Sequence, residues 1–169
     1  GDANDRQHDR PGASARRRRK GGIHRNRIGR SRGGLTTKIH AVVDRQGLPL
    51  RLGLTAGQAH DAPAALELLD RLQPRTIMLA DKAYDGNAIR DMIEAQGAVP
   101  NIPAKSNRKW RPCFSKTIYR ERNQVERFFS KLKHFRRIAT RYDKLADNFL
   151  AMVKLASCRI WLRAYESTA

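Results

Sequence analysis

Lysine and arginine gather in two stretches of this chain, which confines a hydrophobic core to the rest of it or to one side of a helix. Residues 1–38 hold 12 Lys/Arg against 3 acids, a net +9, and residues 105–141 hold 13 against 2, a net +11. Everything else carries 10 against 11, a net −1, so the formal charge of +19 belongs to those two stretches. A near-neutral body with two cationic segments is the electrostatic footprint of a nucleic-acid binder. The run "ARRRRKGG" taken alone reads equally well as a solvated tail. Residues 105–141 read differently, because Val125, Phe128, Phe129, Leu132 and Phe135 interleave with the charges.

A chain of 169 residues suits one domain. At this length roughly 70% of the unfolded surface can be buried. No apolar run reaches the ~18 residues of a membrane span, and the start of the chain has no signal-peptide pattern. Cys113 and Cys158 lack metal-ligand spacing and read as free thiols in a reducing compartment.

Residues 1–34 are rich in Arg, Gly and Asp and read as a mostly irregular basic segment; residues 35–169 read as the folded domain. "LTTKIHAVVD" and "LPLRLGLTA", joined by "RQG", predict a β-hairpin. "HDAPAALELLDRL" predicts a helix with Asp61 as N-cap and Pro63 just inside. "TIMLAD" has the continuous apolar character of a buried strand. A helix over "DGNAIRDMIEAQG", a short strand in "AVPNIPA" and a basic loop over 105–116 follow. One long helix over 118–139 and a last one over 143–165 complete the order. In the last helix Leu145, Phe149, Met152, Val153, Ala156 and Ile160 form an apolar stripe. The expected architecture is mixed α/β, a central sheet with helices packed on it.

The segment "YRERNQVERFFSKLKHFRR" keeps an acid, Glu126, among many cations. With Tyr119 at zero on a helical wheel, Arg122, Glu126 and Lys133 fall at roughly 300°, 340° and 320°. These four share a stripe about 60° wide and about 20 Å long. The apolar residues occupy roughly 160° to 280°, so the stripe borders the apolar face and is expected at the edge of a cleft. The plainer alternative is an exposed Arg122–Glu126 ion pair contributing about 0.2–0.5 kcal/mol. Glu121 lies off the stripe and suits a surface role. A second carboxylate, Asp81, closes the apolar strand, where ligands bind in α/β sheets. An aspartate there is often only a turn former; Asp85 is expected to cap the next helix, leaving Asp81 free. Two such carboxylates beside a positive surface suit Mg²⁺, which takes oxygen ligands and bridges to phosphate.

The spacing Tyr119-x2-Arg122-x3-Glu126-x6-Lys133 resembles the Y-R-E-K signature of bacterial insertion-sequence transposases with a DDE catalytic core. "IGRSRGGLTTKIHAVVD", "GLPLRLGLTAGQAHD" and "LADKAYD" resemble the insertion-sequence-five group of that superfamily, a likeness covering about residues 8–165. The resemblance implies a ribonuclease-H-like fold and phosphodiester chemistry with Mg²⁺ or Mn²⁺. It implies Asp81 and Glu126 as second and third catalytic, metal-holding carboxylates. The first is expected near the start of the chain. Counting seven back from His8 lands on Gly1, so Asp2 is the nearest candidate and Asp5 a more distant one. Tyr119, Arg122 and Lys133, with Lys131, Arg136 and Arg137 of the same segment, are the implied DNA contacts. Implied partners are double-stranded DNA, as transposon ends and target, and a second copy in a homodimer; the implied location is the bacterial cytoplasm, on the nucleoid. The short N-terminus is expected to reflect a C-terminal part of a longer transposase, a second-frame product or a decayed copy.

His60 and Asp61 read as helix-start residues, and His40 as a packed or edge-strand histidine. Trp110, in "SNRKWRP", reads equally as a base-stacking ring or a loop anchor. The glycines of "GRSRGG" form no phosphate-loop pattern. A non-catalytic basic nucleic-acid-binding protein remains the alternative; only the enzyme needs Asp81 and Glu126.

Overall fold

The computed structural model describes residues 27–31 and 34–167. Strands β1 (Gly29–Ser31), β2 (Gly34–Val43) and β3 (Pro49–Ala56) form an antiparallel sheet in that order. The expected hairpin is present, and Gly29–Ser31, expected to be irregular, adds an edge strand by pairing with β2. The hairpin turn closes on Asp44: its Oδ1 accepts from the amides of Gln46 (2.9 Å) and Leu48 (2.8 Å). Gly47 has φ +77°, a conformation glycine adopts without steric cost.

Helix α1 (Asp61–Leu68) is followed by β4 (Ile77–Leu79), a 3₁₀ turn at Lys82–Tyr84, α2 (Asn87–Ala95) and β5 (Val99–Asn101). β4 and β5 pair in parallel. Gly97, at φ +72° just past α2, ends that helix in the left-handed conformation usual there. The single central sheet expected from the sequence is found, among the described residues, as two: the antiparallel triple strand and this parallel pair. β4 and β5 are three residues each, and side chains rather than a ladder join them to the hairpin. Val42 of β2 and Met78 and Ala80 by β4 pack against the same buried cluster, and buried His40 is held by Thr55 Oγ1 at 2.7 Å and Tyr84 Oη at 3.3 Å. Burial holds the His40 pKa down, against the opposing pull of Asp61.

Asp61 does not cap α1. His60 occupies the cap position without a side-chain bond, while Asp61 accepts from Lys38 Nζ at 2.9 Å. Asp61 still places negative charge in the first turn, where the helix dipole favours it.

The expected long helix is broken. Helix α3 (Lys116–Tyr119) runs through a 3₁₀ turn at Arg120–Arg122 into α4 (Asn123–Lys133). Phe135 then turns extended (φ −83°, ψ 101°), and a short α5 (Arg136–Ala139) follows. The wheel supplies the reason. A straight helix would carry Ile138 to roughly 100°, outside the apolar arc. The break instead buries Ile138 beside Phe128 and Leu132. Helix α6 (Ala146–Glu166) closes the fold. Of its expected stripe, Phe149, Val153, Ala156 and Ile160 are buried, whereas Leu145 precedes the helix and is 55% exposed. Across this core Trp161 Nε1 donates to Pro49 O at 2.9 Å.

Two cores result. Leu48 and Leu54 of the hairpin region meet Phe128, Leu132, Phe149 and Val153; Ala65, Leu69, Ile89, Ile93 and Ile102 surround the parallel pair. No described helix is long and apolar enough to cross a membrane.

Asp85 is not a helix cap either; Gly86 takes that position. The Asp85 side chain is fully enclosed, accepting from Arg90 Nε (2.8 Å), Arg108 Nε (2.9 Å) and the Lys105 amide (2.8 Å). Arg90 also donates to Ile102 O at 2.7 Å. The basic loop is therefore clamped from below, and its far end is closed by Asn101, which exchanges two hydrogen bonds with the Ser115 backbone. Burial alone would raise the Asp85 pKa; the Lys105 amide, Arg108 and Arg90 outweigh it and hold the group at about 2.

Two outcomes follow. Phe128, with no exposed surface, is the seat of α4 on the hairpin, so Phe128→Ala should cost about 3–5 kcal/mol and lower Tm by roughly 10 °C in a thermal melt. An unchanged Tm would mean that α4 is not seated there. Asp85→Asn leaves two buried guanidinium groups without their anion and should cost about 3–5 kcal/mol at neutral pH. Because the folded pKa is depressed, the stabilisation by Asp85 is whole above about pH 4 and disappears as pH falls toward 2. The gap between wild type and Asp85→Asn should therefore narrow by about 2 kcal/mol over that range. A gap independent of pH would contradict the clamp.

Candidate active site

Asp81 stands two residues beyond β4, where the chain leaves the parallel pair. It is not wholly free, as the sequence suggested: Oδ1 accepts from the Ala83 amide at 2.8 Å and starts the 3₁₀ turn. Its carboxylate is half-buried and helps raise the pKa of neighbouring Tyr84 to about 12, after burial and with Asp61.

Glu126 lies on the first full turns of α4. The Arg122 Nη2 donates to Glu126 Oε1 at 2.5 Å, the ion pair foreseen as the plainer reading. The pair is present, and it is the ion pair that Arg122 makes among the described residues. Burial lowers the Arg122 pKa, and this is outweighed by the Glu126 hydrogen bond and by the charges of Tyr119, Glu126 and Asp81, so the pKa is raised. The Arg122 Nε is buried and has no hydrogen-bond partner among the described residues.

Tyr119 joins through the 3₁₀ turn. Winding three residues per turn sets residues i and i+3 above one another, and the Arg122 guanidinium lies 5.5 Å from the Tyr119 ring centroid. Phe114 abuts that ring edge-on at 5.1 Å. The tighter turn also rotates Tyr119 by some tens of degrees from its place on an ideal wheel. Lys133 ends α4 and is exposed, as is Lys131. Arg136 and Arg137 are exposed but lie past the Phe135 break, so they leave the axis of the stripe. Asp2 and Asp5 lie outside the described residues.

Oxygen donors suit a hard divalent cation, and Asp81 and Glu126 supply that chemistry. Among the described residues no group of three or more His, Cys, Asp or Glu assembles to hold one. One Glu126 oxygen is engaged by Arg122. The described donor set is therefore chemically fitting and numerically incomplete.

Sequence reasoning missed the Asp85 clamp and a polar cleft beside α4 lined by Gln46, Asn123, Gln124 and Arg127. Neither has a local signal: Arg108 is 23 residues from Asp85, and Gln46 reaches α4 only through the folded hairpin. The Trp110 ring is 71% exposed at the loop between the clamp and Ser115, which disposes of the anchoring alternative.

A family model described as a transposase DDE domain matches residues 6–161, a span containing Asp81 and Glu126 but not Asp2. The chain is 43% identical over 130 residues to "Putative transposase for insertion sequence element IS6501" of Brucella ovis, covering 76% of this chain and all of that protein. It is 31% identical over 135 residues to "Putative transposase for insertion sequence element IS402" of Burkholderia cepacia, covering 73% of this chain and 62% of that protein. No solved structure matches. A cationic helix with an acid at its edge, a carboxylate just past a strand end, and a family match across both come together in one conclusion: the chain belongs to the transposase DDE domain family and is a DNA transposase.

Proposed function

We propose that this transposase cuts and transfers the ends of an insertion sequence by metal-assisted phosphodiester hydrolysis followed by strand transfer. Its catalytic domain, of ribonuclease-H-like type, takes in the sheet from Gly29 onward. The antiparallel triple strand, the parallel pair and an aspartate just past a strand of that pair support the fold assignment.

Asp81 and Glu126 would hold the divalent metal, Mg²⁺ or Mn²⁺, with Asp2 as the third carboxylate. When bound, such a metal lowers the pKa of an attacking water and offsets charge on the leaving oxygen. Arg122 is the positioning residue of the pair. It holds Glu126 in place in the free protein, and its guanidinium offers charged donors to a DNA phosphate oxygen. Tyr119 fixes the guanidinium plane from below. Lys131 and Lys133 bind phosphates along α4, and Arg136 and Arg137 extend that contact around the bend. The Y-R-E-K residues of the insertion-sequence-five group would then act as one unit on the transposon end. Water makes the nick, and the freed 3′-hydroxyl attacks target DNA without a covalent enzyme intermediate. A homodimer bringing two ends together suits this sequence of steps.

The observation that carries the reading is the Arg122–Glu126 ion pair on the cationic helix, with Asp81 just past β4 in the same family match. Glu126→Gln keeps the shape and removes the charge. It should leave duplex binding intact or slightly tighter and abolish Mg²⁺-dependent nicking, measured on a labelled duplex carrying the element's ends. Wild-type nicking by Glu126→Gln would remove Glu126 from the reaction. Lys133→Ala should weaken binding and lower the slope of log affinity against log salt by about 0.9; an unchanged slope would place Lys133 off the DNA.

A further inference from the structure

Helix α4 has a third face, turned neither to the core nor along the Tyr119–Lys133 stripe. Against it stands the hairpin turn. That turn is internally closed: Gly47 N donates to Asp44 O at 3.0 Å and Asp44 N to Leu48 O at 2.9 Å, besides the two bonds on Asp44 Oδ1. It also abuts the helix. A Cβ added at Gly47 would meet Gln124 Oε1 at 3.1 Å and Gln124 O at 3.2 Å. The wall it makes is a stiff one.

Between turn and helix lies a cleft of about 570 Å³, within the range of pockets that take small ligands. Every residue that lines it has a polar or charged side chain. Gln46, Asn123 and Gln124 contribute three carboxamides, Arg127 and Lys131 two cations one helical turn apart, and Ser130 a hydroxyl. Glu126 closes one rim. Carboxamides offer donor and acceptor together, the pattern that base edges present, and cations at i and i+4 share one face and can reach neighbouring phosphates.

We propose that this cleft is a base-reading site for the single DNA strand that flanks the scissile phosphate. Gln46, Asn123 and Gln124 read a base edge there, with Arg127 and Lys131 on the backbone. The placement beside the scissile phosphate rests on the assignment of Glu126 above; the base-reading chemistry does not. Gln46 is then a specificity-determining residue outside the metal site. Its side chain makes no hydrogen bond among the described residues, so replacing it leaves the turn intact.

The test uses the full chain and fluorescence anisotropy with short dA and dC oligonucleotides and an abasic strand of equal length. Wild type should prefer a base-bearing strand over the abasic one by about tenfold. Gln46→Ala should lower that preference to roughly threefold or less while the salt slope stays unchanged, because the phosphate contacts remain. Gln46→Glu, which only accepts hydrogen bonds, should shift the preference from dA toward dC, whose N4 amine donates. Wild-type preference in both variants, or none in wild type, overturns the proposal. So does competition by polyglutamate as effective as by an oligonucleotide, which would assign the cleft to acidic peptides. If nicking depends on Glu126 while the Gln46 variants keep their preference, the cleft fails and the cutting reaction stands. If no preparation nicks but Gln46→Ala loses base preference, the site survives and the assignment of Glu126 falls.

Discussion

Everything functional in this chain hangs on the seating of one helix face. Phe128 and Leu132 are buried against the hairpin and α6, and that contact decides where the remaining sides of α4 point. Glu126 and the cations of its stripe border the apolar face, and the polar cleft opens opposite the core. Hydrophobic burial has no direction of its own. Here it acquires one, because the apolar arc is less than half the circumference and only one rotation of α4 satisfies it. The break at Phe135 belongs to the same constraint, since it brings Ile138 into the core that a straight helix would miss.

The electrostatics are arranged around that seat. The chain carries a large positive charge, and three of its carboxylates each have an assigned cation: Asp61 has Lys38, Asp85 has Arg90 and Arg108, Glu126 has Arg122. Their environments separate their roles. Asp85 has no solvent access and two arginines plus an amide, so it is a permanent anion that organises a loop. Glu126 is 61% exposed and bound at one oxygen, so its partner can be exchanged. An acid of the first kind builds the protein; one of the second kind can take part in chemistry.

Much of this was legible in the residues, and the failures share a cause. The hairpin, the two helices around the parallel pair and the last helix were visible because each is set by periodicity and by turn glycines at Gly47 and Gly97. The Arg122–Glu126 contact was visible because residues four apart on a helix are neighbours whatever surrounds them. Asp61 and Asp85 were misread as caps. Cap chemistry is local, whereas Lys38 and Arg108 lie 23 residues away and offered a stronger partner. The uninterrupted 118–139 helix was misread because propensity cannot see the core that Ile138 must reach.

By itself, then, the sequence determined the elements, the apolar arc of the cationic helix and the four-residue spacing that puts Arg122 on Glu126, all of which depend on neighbours along the chain. Only the tertiary structure decided that Asp85 is a clamp and that Gln46 faces α4. Those juxtapositions join groups far apart in sequence, and they exist only once burial of Phe128 and its neighbours has chosen how the helix lies on the sheet.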